Sequence, residues 1–190
     1  MAGEYYKQQI FEDRRFTAVK MASDEFDQCE FIRCHFASAD LGHVEFTNCI
    51  FRDCDLSSAK LYAATFNEVQ FIGCKCIGIR FEEANPFLFT VGFDRCLLHF
   101  ASFFQRKMPG TRFLHCQLQE ADFAEADLEG ADFSGSDLAG TKFENTRLDR
   151  ADFREALRFG IDPTRNSLKK ARFSREALSG LLLTFGISID

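Results

Sequence analysis

A bulky apolar residue recurs every five positions along most of the chain. In ADFAEADLEGADFSGSDLAGTKF, residues 121–143, it is Phe or Leu at positions 123, 128, 133, 138 and 143. A small residue stands two places before each of these centres, and the other three positions are mostly polar. Neither the helical period of 3.6 nor the strand period of 2 produces this pattern. It predicts a chain that points two residues in five inward and turns a corner every five residues.

The period extends from Phe11 to Phe153 and predicts a solenoid of stacked coils. Its phase shifts by two residues at 84–87, within EEANPFL, and we expect it to resume with Leu88 and Phe93 as centres. The chain has 24 Phe, three Tyr and no Trp, which fits the repeated use of one bulky core residue.

The spacing of the cysteines predicts the number of sides. Cys29 and Cys49 are 20 residues apart, and the same spacing separates Cys34, Cys54 and Cys74. Twenty residues per turn means four sides of five, since two sides enclose little core and six leave a hollow. The predicted fold class is an all-β solenoid, a quadrilateral parallel β-helix. About eight coils at about 4.8 Å each would make a rod about 38 Å long.

The cysteines are predicted to have a structural role inside the coil, and the histidines are predicted to lie at the surface. Seven of the eight cysteines occupy the small inward position and Cys76 occupies a centre, where a free thiol acts as a small hydrophobe. Stacking brings cysteines within disulfide range, but a reducing cytosol disfavours the bond. The four histidines fall at outward positions, and we expect no metal and no cofactor: His35, His43, His99 and His115.

The sequence does not predict an enzyme. It contains no G-x-S-x-G, P-loop or H-E-x-x-H motif, and a filled coil leaves no interior cavity for a substrate. The charged N-terminus and the lack of a long apolar run predict a cytoplasmic protein with no membrane partner. The net charge of −6 argues against direct binding of nucleic acid.

Acidic residues concentrate at 119–155, a segment with 11 acids and four bases. Stacked coils would turn this segment into a negative surface on one half of the rod. The Asp before each centre also has a structural interpretation, because its side chain can accept hydrogen bonds from the turn backbone. We expect both roles, with a partner-binding acidic face at Asp122, Asp127, Asp132, Asp137, Glu125 and Glu129.

Residues 84–112 interrupt the pattern. Arg106 stands where a small residue is expected, and because a long cation does not fit this core, we expect 105–110 to bulge outward around the Pro109-Gly110 turn. The bulge would offer a second partner contact at Arg106, Lys107 and Met108. Several apolar residues lie off the inward phase, and they either pack under the bulge or form an exposed patch that marks a partner site. They are Phe87, Phe89, Leu97, Phe100 and Phe104.

The segment 159–190 is predicted to hold one last repeat and to cap a β-helix of residues 1–158. Ser174 is expected to cap a short helix that stops at Gly186, and a short strand follows. A cap is needed because an open β-helix end exposes unpaired backbone and core. The apolar excess of LLLTFGISI also predicts a homodimer through this end. Its predicted interface residues are Leu178, Leu181, Leu182, Phe185, Ile187 and Ile189.

The recurring A-(D/N)-(L/F)-x-x pattern resembles the pentapeptide-repeat family over most of the chain, and 121–153 matches it closely. That family forms a right-handed, four-sided β-helix. The segments NPFLFTVGFDRCLLHFASF and GIDPTRNSLKKARFSREALSGLLLTFGISID further resemble the Qnr-like branch. This branch includes the Qnr quinolone-resistance, albicidin-resistance and microcin-immunity proteins.

The resemblance implies a rod-shaped dimer that mimics DNA and binds DNA gyrase, and sometimes topoisomerase IV, at the DNA-binding surface. It would protect the enzyme from poisons such as quinolones or compete with DNA. The mimicry is partial, because a dimer carries twice −6, whereas duplex DNA of about 76 Å carries about 45 phosphate charges. The alternative is a structural or scaffolding repeat protein with a different protein partner, contacted through the Phe87–Phe104 region.

Overall fold

The computed structural model describes residues 3–17, 21 and 23–187, which wind into stacked parallel coils. Residues 20 apart lie side by side, as Phe31 does with Phe51. We number the four sides in chain order. The centres Phe31, Phe36, Leu41 and Phe46 mark sides 1, 2, 3 and 4 of one coil. The predicted coil of four five-residue sides is confirmed.

Nine strands in the described residues lie on sides 4 and 1 and form one wrapped, parallel sheet. Sides 2 and 3, and most of the chain after the last strand, pair through single bridges such as Asp132 with Asp152. The strands are β1 (Tyr5–Lys7), β2 (Ile10–Glu12), β3 (Glu25–Asp27), β4 (Glu30–Ile32), β5 (Glu45–Thr47), β6 (Ile50–Arg52), β7 (Thr65–Ile72), β8 (Phe89–Asp94) and β9 (Phe113–Leu114).

The centres form columns of aromatic rings inside the rod. On side 1, nine phenylalanines stack from Phe11 to Phe173, with successive ring centroids 4.6–5.3 Å apart. Rings on neighbouring sides meet edge to face, as Phe31 does with Phe36. Such aromatic pairs add about 0.5–1.5 kcal/mol each to the free energy of burial. The aromatic columns therefore fill the axis and account for the excess of Phe.

Most corners of the described coils place one residue in the left-handed region. At these corners the second residue after the centre has a φ between 50° and 71°. At most corners the N–H of the next residue donates to the carbonyl of the centre, as Ala126 does to Phe123 O at 3.1 Å. These features are typical of a type II turn. The residue that follows the turn points inward and must be small, and Ala126 is buried.

Seven cysteines occupy corners of the described coils where this turn bond is missing. Six of the thiols donate to backbone carbonyls of the coil before, and Cys116 Sγ donates to Leu114 O of its own coil. Cys54 Sγ donates to Phe31 O at 3.3 Å and accepts from Cys34 N–H at 3.3 Å. Ser136 continues the same column with 2.8 Å bonds to the corresponding groups. The prediction of buried, free, structural cysteines is confirmed. Because the turn hydrogen bond is missing at these corners, a small residue that can itself form hydrogen bonds to the backbone is used there.

The predicted phase shift is present, but its expected centre is wrong. Side 1 neighbours are 20 residues apart at Phe51 and Phe71, and 22 apart at Phe71 and Phe93. Leu88 is exposed, whereas Phe89 is buried opposite Phe66. The extra residues are taken up before Phe89, where a 3₁₀ turn at Phe81–Glu83 leads into the insertion.

Arg106 contradicts the predicted bulge at 105–110. It is only 4% exposed, and the next residue keeps the repeat by pairing with Asp127. Its guanidinium donates to Phe81 O at 2.6 and 2.8 Å and to Ala84 O, and it lies 4.5 Å from the ring centroid of Phe89. Burial lowers the pKa of Arg106, but the ordinary value is so high that the group stays charged. The core accepts this cation because the insertion one coil earlier supplies carbonyl oxygens and a ring face.

The C-terminal segment covers the end of the rod, but not as an α-helix. It forms two 3₁₀ helices, Leu178–Leu181 and Leu183–Phe185, and Ser174 does not cap them. Ile161 N–H donates to the Gly180 carbonyl at 3.0 Å, and a Cβ at Gly180 would lie 2.5 Å from Phe159 O. This docking removes the Gly180 carbonyl from a helical ladder.

The predicted role of Gly186 as the residue that ends the helical segment is confirmed. It follows the second 3₁₀ helix and has a φ of 62°, in the left-handed region. Ile187 is not in a strand, and the rest of the predicted strand, 188–190, lies outside the described residues. Within the residues that the structure describes, no helix is long and apolar enough to cross a membrane.

Candidate protein-binding surface

The four aspartates predicted to share an acidic face lie on four different sides of the rod. Asp122 is on side 3, Asp127 on side 4, Asp132 on side 1 and Asp137 on side 2, and each pairs in its own ladder. They form a belt around one coil. The prediction of a single acidic face is wrong, because four successive repeats complete one turn and point their aspartates in four directions.

Each aspartate of the belt also holds its own turn. Its Oδ1 accepts from the backbone N–H two residues later, at 2.9 Å between Asp122 and Ala124 and at 3.3 Å between Asp137 and Ala139. Asp127 and Asp132 make the same bond, and so does Asp40 outside the acidic segment. The structural interpretation of the Asp column is therefore confirmed.

Basic residues of the next coil neutralise part of the belt. Arg147 pairs with Asp127 at 3.2 Å and also with Glu129, and Arg158 pairs with Asp137. The pKa of Asp137 lies below its ordinary value: burial raises it, but hydrogen bonds from Arg158 and from the Ala139 N–H lower it further. Sides 4 and 2 of the belt thus carry little uncompensated charge.

The acids on side 3 of the belt form no ion pairs in the part of the chain that the structure describes, although the backbone of Asp122 bridges to that of Lys142 in the next coil. Glu120 and Glu125 flank Asp122 at the two corners of this side, and none of the three forms an ion pair among the described residues. Glu125 accepts a hydrogen bond from the Gln105 side chain at 2.7 Å. We call Glu120, Asp122 and Glu125 the acidic row.

Exposed aromatic side chains lie on side 3 and its corners in the coils just before the acidic row, and Leu88 lies next to them at the start of side 4. Phe100 N–H donates to Gln119 O, and Gln105 N–H donates to Ala124 O, so the two features adjoin. We call the following residues the aromatic patch: Tyr62 (68% exposed), Phe87 (90%), Leu88 (51%), Phe100 (64%) and Phe104 (37%).

Among the large apolar side chains that are exposed in the described part of the chain, those of the aromatic patch lie in the middle of the rod. The other large ones belong to the first coil or to the C-terminal end: Tyr5, Ile10, Leu157, Leu178, Leu183, Phe185 and Ile187. Of the two sequence-based alternatives, the structure favours an exposed patch, although Phe89 is buried and Leu97 is half-buried. Tyr62 and Leu88 were not predicted, because the repeat phase places Tyr62 among ordinary outward positions and Leu88 at a centre.

Hydrogen bonds hold the insertion that carries Phe87. Asn85 N–H donates to Ala64 O at 2.8 Å, and Asn85 Oδ1 accepts from Phe87 N–H at 3.0 Å. Asn85 Nδ2 donates to Thr65 Oγ1 at 3.3 Å, and Arg106 holds the start of the insertion at Ala84 O. An ordered turn therefore presents Phe87, so binding through this side chain would cost little additional ordering entropy.

The predicted contact at Arg106, Lys107 and Met108 does not form as a unit. Only Lys107 is exposed, whereas Arg106 and Met108 are 4% and 2% exposed. A buried side chain cannot contact a partner on this rigid coil. Lys107 stays a candidate contact on side 4.

The histidines lie at the surface as predicted, and His99 is the half-buried one, with Nε2 3.2 Å from Gln117 Oε1. No group of His, Cys, Asp and Glu in the described residues is arranged to hold a metal. An open groove of about 520 Å³ lies between the last coil and the C-terminal segment, lined in part by Leu157, Phe159 and Leu183.

The C-terminal end exposes apolar side chains where the dimer interface is predicted. Leu178, Phe185 and Ile187 are 45–57% exposed, and Leu181 and Leu182 are half-buried. Ile189 lies outside the described residues. Leu183 is 65% exposed and was missed, because its exposure follows from the 3₁₀ form of a segment that the sequence predicts as an α-helix.

Comparisons with known proteins agree with this architecture. The family model for pentapeptide repeats matches residues 96–135 and 116–155, and that for the SV2A/B/C luminal domain matches residues 2–81. No curated protein matches the chain in sequence.

Solved structures resemble the whole chain at low identity. HetL, a pentapeptide-repeat protein involved in heterocyst differentiation regulation from the cyanobacterium Nostoc, is 18% identical with a TM-score of 0.68, over 92% of this chain and 88% of its own. A trypsin-treated form of QnrB1, a plasmid-mediated fluoroquinolone resistance protein, is 18% identical with a TM-score of 0.64, over 100% and 99%. Full-length QnrB1 is 20% identical with a TM-score of 0.51, over 96% and 100%. Residues 96–155 therefore carry pentapeptide repeats, and the chain as a whole has the fold of the pentapeptide-repeat proteins QnrB1 and HetL.

Proposed function

We propose that this protein binds type II topoisomerases, DNA gyrase and also topoisomerase IV, and that it modulates them or protects them from poisons such as quinolones. The observation that carries the proposal is the end-to-end overlap with QnrB1, a fluoroquinolone resistance protein. The acidic row adds support, because a surface that binds DNA phosphates is rich in Lys and Arg and attracts carboxylates. The action proposed is binding, without a chemical step.

The proposed active form is a cytoplasmic homodimer joined at the C-terminal ends. Exposed Leu178, Leu183 and Phe185 favour this arrangement, because burial of such side chains stabilises a self-complementary interface. Each rod would mimic DNA only in part, since ion pairs neutralise acids on sides 2 and 4 of the belt.

A gyrase supercoiling assay tests the proposal. The protein is added to gyrase and relaxed plasmid, with and without ciprofloxacin, and a matched sample contains a variant with two core rings removed, Phe93→Ala with Phe113→Ala. We expect the wild-type protein to restore supercoiling in ciprofloxacin, or to inhibit it in the absence of the drug, and the variant to do neither. No effect of the wild-type protein on either reaction would contradict the proposal.

A second candidate function is a scaffolding module with a different protein partner. The specific observation in its favour is the likeness to HetL, which is as close in fold as QnrB1. This alternative predicts that gyrase is indifferent to the protein, and that a partner purified with it is lost when Phe87 is replaced by Ala.

A further inference from the structure

We infer that the topoisomerase contact is confined to side 3, where the aromatic patch and the acidic row lie on adjoining coils. This inference rests on the proposed function and specifies its surface. The other three sides of the acidic belt then serve the turns and do not meet the partner.

The charges distinguish side 3 from the other sides. Asp127 and Asp137, on sides 4 and 2, pair with arginines of the next coil, as does Glu129. Asp132 on side 1 has no ion pair among the described residues. Its ladder neighbours are Arg112 and Asp152, and Asp152 is paired with Arg154, so Asp132 is a single unpaired carboxylate. The acidic row instead presents three carboxylates within six residues, and none of them forms an ion pair among the described residues, although Lys142 lies beside Asp122 in the next coil. A basic surface complements this row better than any other part of the belt.

The aromatic patch supplies the apolar part of the same contact. Exposed apolar side chains at the rod ends are accounted for by the ends of the coil stack, but those of side 3 lie in mid-rod. Large aromatic side chains held in one geometry are the usual anchors of protein interfaces. Phe87 meets this description, because it is 90% exposed on a turn fixed by Asn85 and Arg106.

The partner surface that fits side 3 is therefore basic, with an apolar pocket beside it. The basic part is the DNA-binding surface of the topoisomerase, which attracts the acidic row and speeds association. The pocket receives Phe87 and Phe104 and slows dissociation.

The charge arm of the test compares two triple variants with the same change in net charge. One removes the acidic row by Glu120→Gln, Asp122→Asn and Glu125→Gln. The control changes other sides by Asp127→Asn, Glu129→Gln and Asp137→Asn. Each Asn keeps the oxygen that accepts the turn hydrogen bond. With immobilised gyrase in biolayer interferometry at low salt, we expect the side 3 variant to associate about tenfold more slowly. The control should stay within about twofold of the wild-type protein.

The aromatic arm compares Phe87→Ala with Ile10→Ala, which removes an exposed apolar side chain from side 1. We expect Phe87→Ala to dissociate about tenfold or more faster and Ile10→Ala to be unchanged, with both proteins as heat-stable as wild type. If wild-type protein binds and the side 3 variants match their controls, the inference is overturned while the proposed function stands. If wild-type protein does not bind gyrase at all, both are overturned.

Discussion

Replacement of Arg106 by Met tests how the core tolerates a buried cation. Met has a similar length and no donor, so the change removes the bonds to Phe81 O and Ala84 O and the contact with the Phe89 ring. Ala84 O loses its hydrogen-bond partner at a cost of about 1–3 kcal/mol, whereas Phe81 O keeps the Ala84 N–H at 3.1 Å, and the lost cation–π contact adds about 0.5–2 kcal/mol. Relief from burying a charge offsets part of this cost. We expect a net loss of about 2–4 kcal/mol in the free energy of unfolding.

The assay for Arg106→Met is urea unfolding followed by circular dichroism, combined with hydrogen exchange at residues 84–88. Exchange should accelerate at Asn85 and Phe87, because Arg106 holds the start of their turn. The matched control is Lys107→Met, which removes an exposed cation from the neighbouring position and should change stability by no more than about 0.5 kcal/mol. An Arg106→Met protein as stable as wild type, with unchanged exchange, would refute the role assigned to the guanidinium.

Three further predictions concern the core, the thiols and acid stability. Phe113→Ala interrupts the side 1 column and should lower the free energy of unfolding by about 3–5 kcal/mol in urea titrations; a loss below about 1 kcal/mol would contradict the packing. All eight cysteines are buried, so no thiol of the folded protein should react with Ellman's reagent at pH 8, whereas all eight should react in guanidinium; rapid reaction of folded protein would contradict their burial. A hydrogen bond from Arg154 lowers the pKa of Asp152, so this carboxylate stabilises the fold above its unfolded pKa of about 3.9, and the contribution is lost as pH falls below about 4. Arg154→Gln should therefore lose less stability than wild type between pH 5 and pH 2, measured as melting temperature, and an equal loss would contradict this linkage.

The sequence predicts the coil because every repeat carries the same information. The inward positions, the 20-residue turn, the phase shift at 84–87 and the buried cysteines all follow from local periodicity, and the structure confirms them. The structural role of the aspartates follows from the chemistry of a short carboxylate before a turn.

The failures have long-range causes. Arg106 is buried because groups 22 and 25 residues earlier receive its guanidinium, a compensation that a rule of small inward residues does not contain. The predicted acidic face became a belt because residues five apart in sequence lie on different sides. The C-terminal segment follows a helical pattern, but the contact of Gly180 with Phe159 and Ile161 selects 3₁₀ turns.

The most direct test of the account is the binding of wild-type protein to immobilised DNA gyrase at 50 and at 200 mM salt. We predict saturable binding at low salt, with an association rate that falls steeply at the higher salt because the acidic row is exposed and screened. Absence of saturable binding at both salt concentrations would contradict the account.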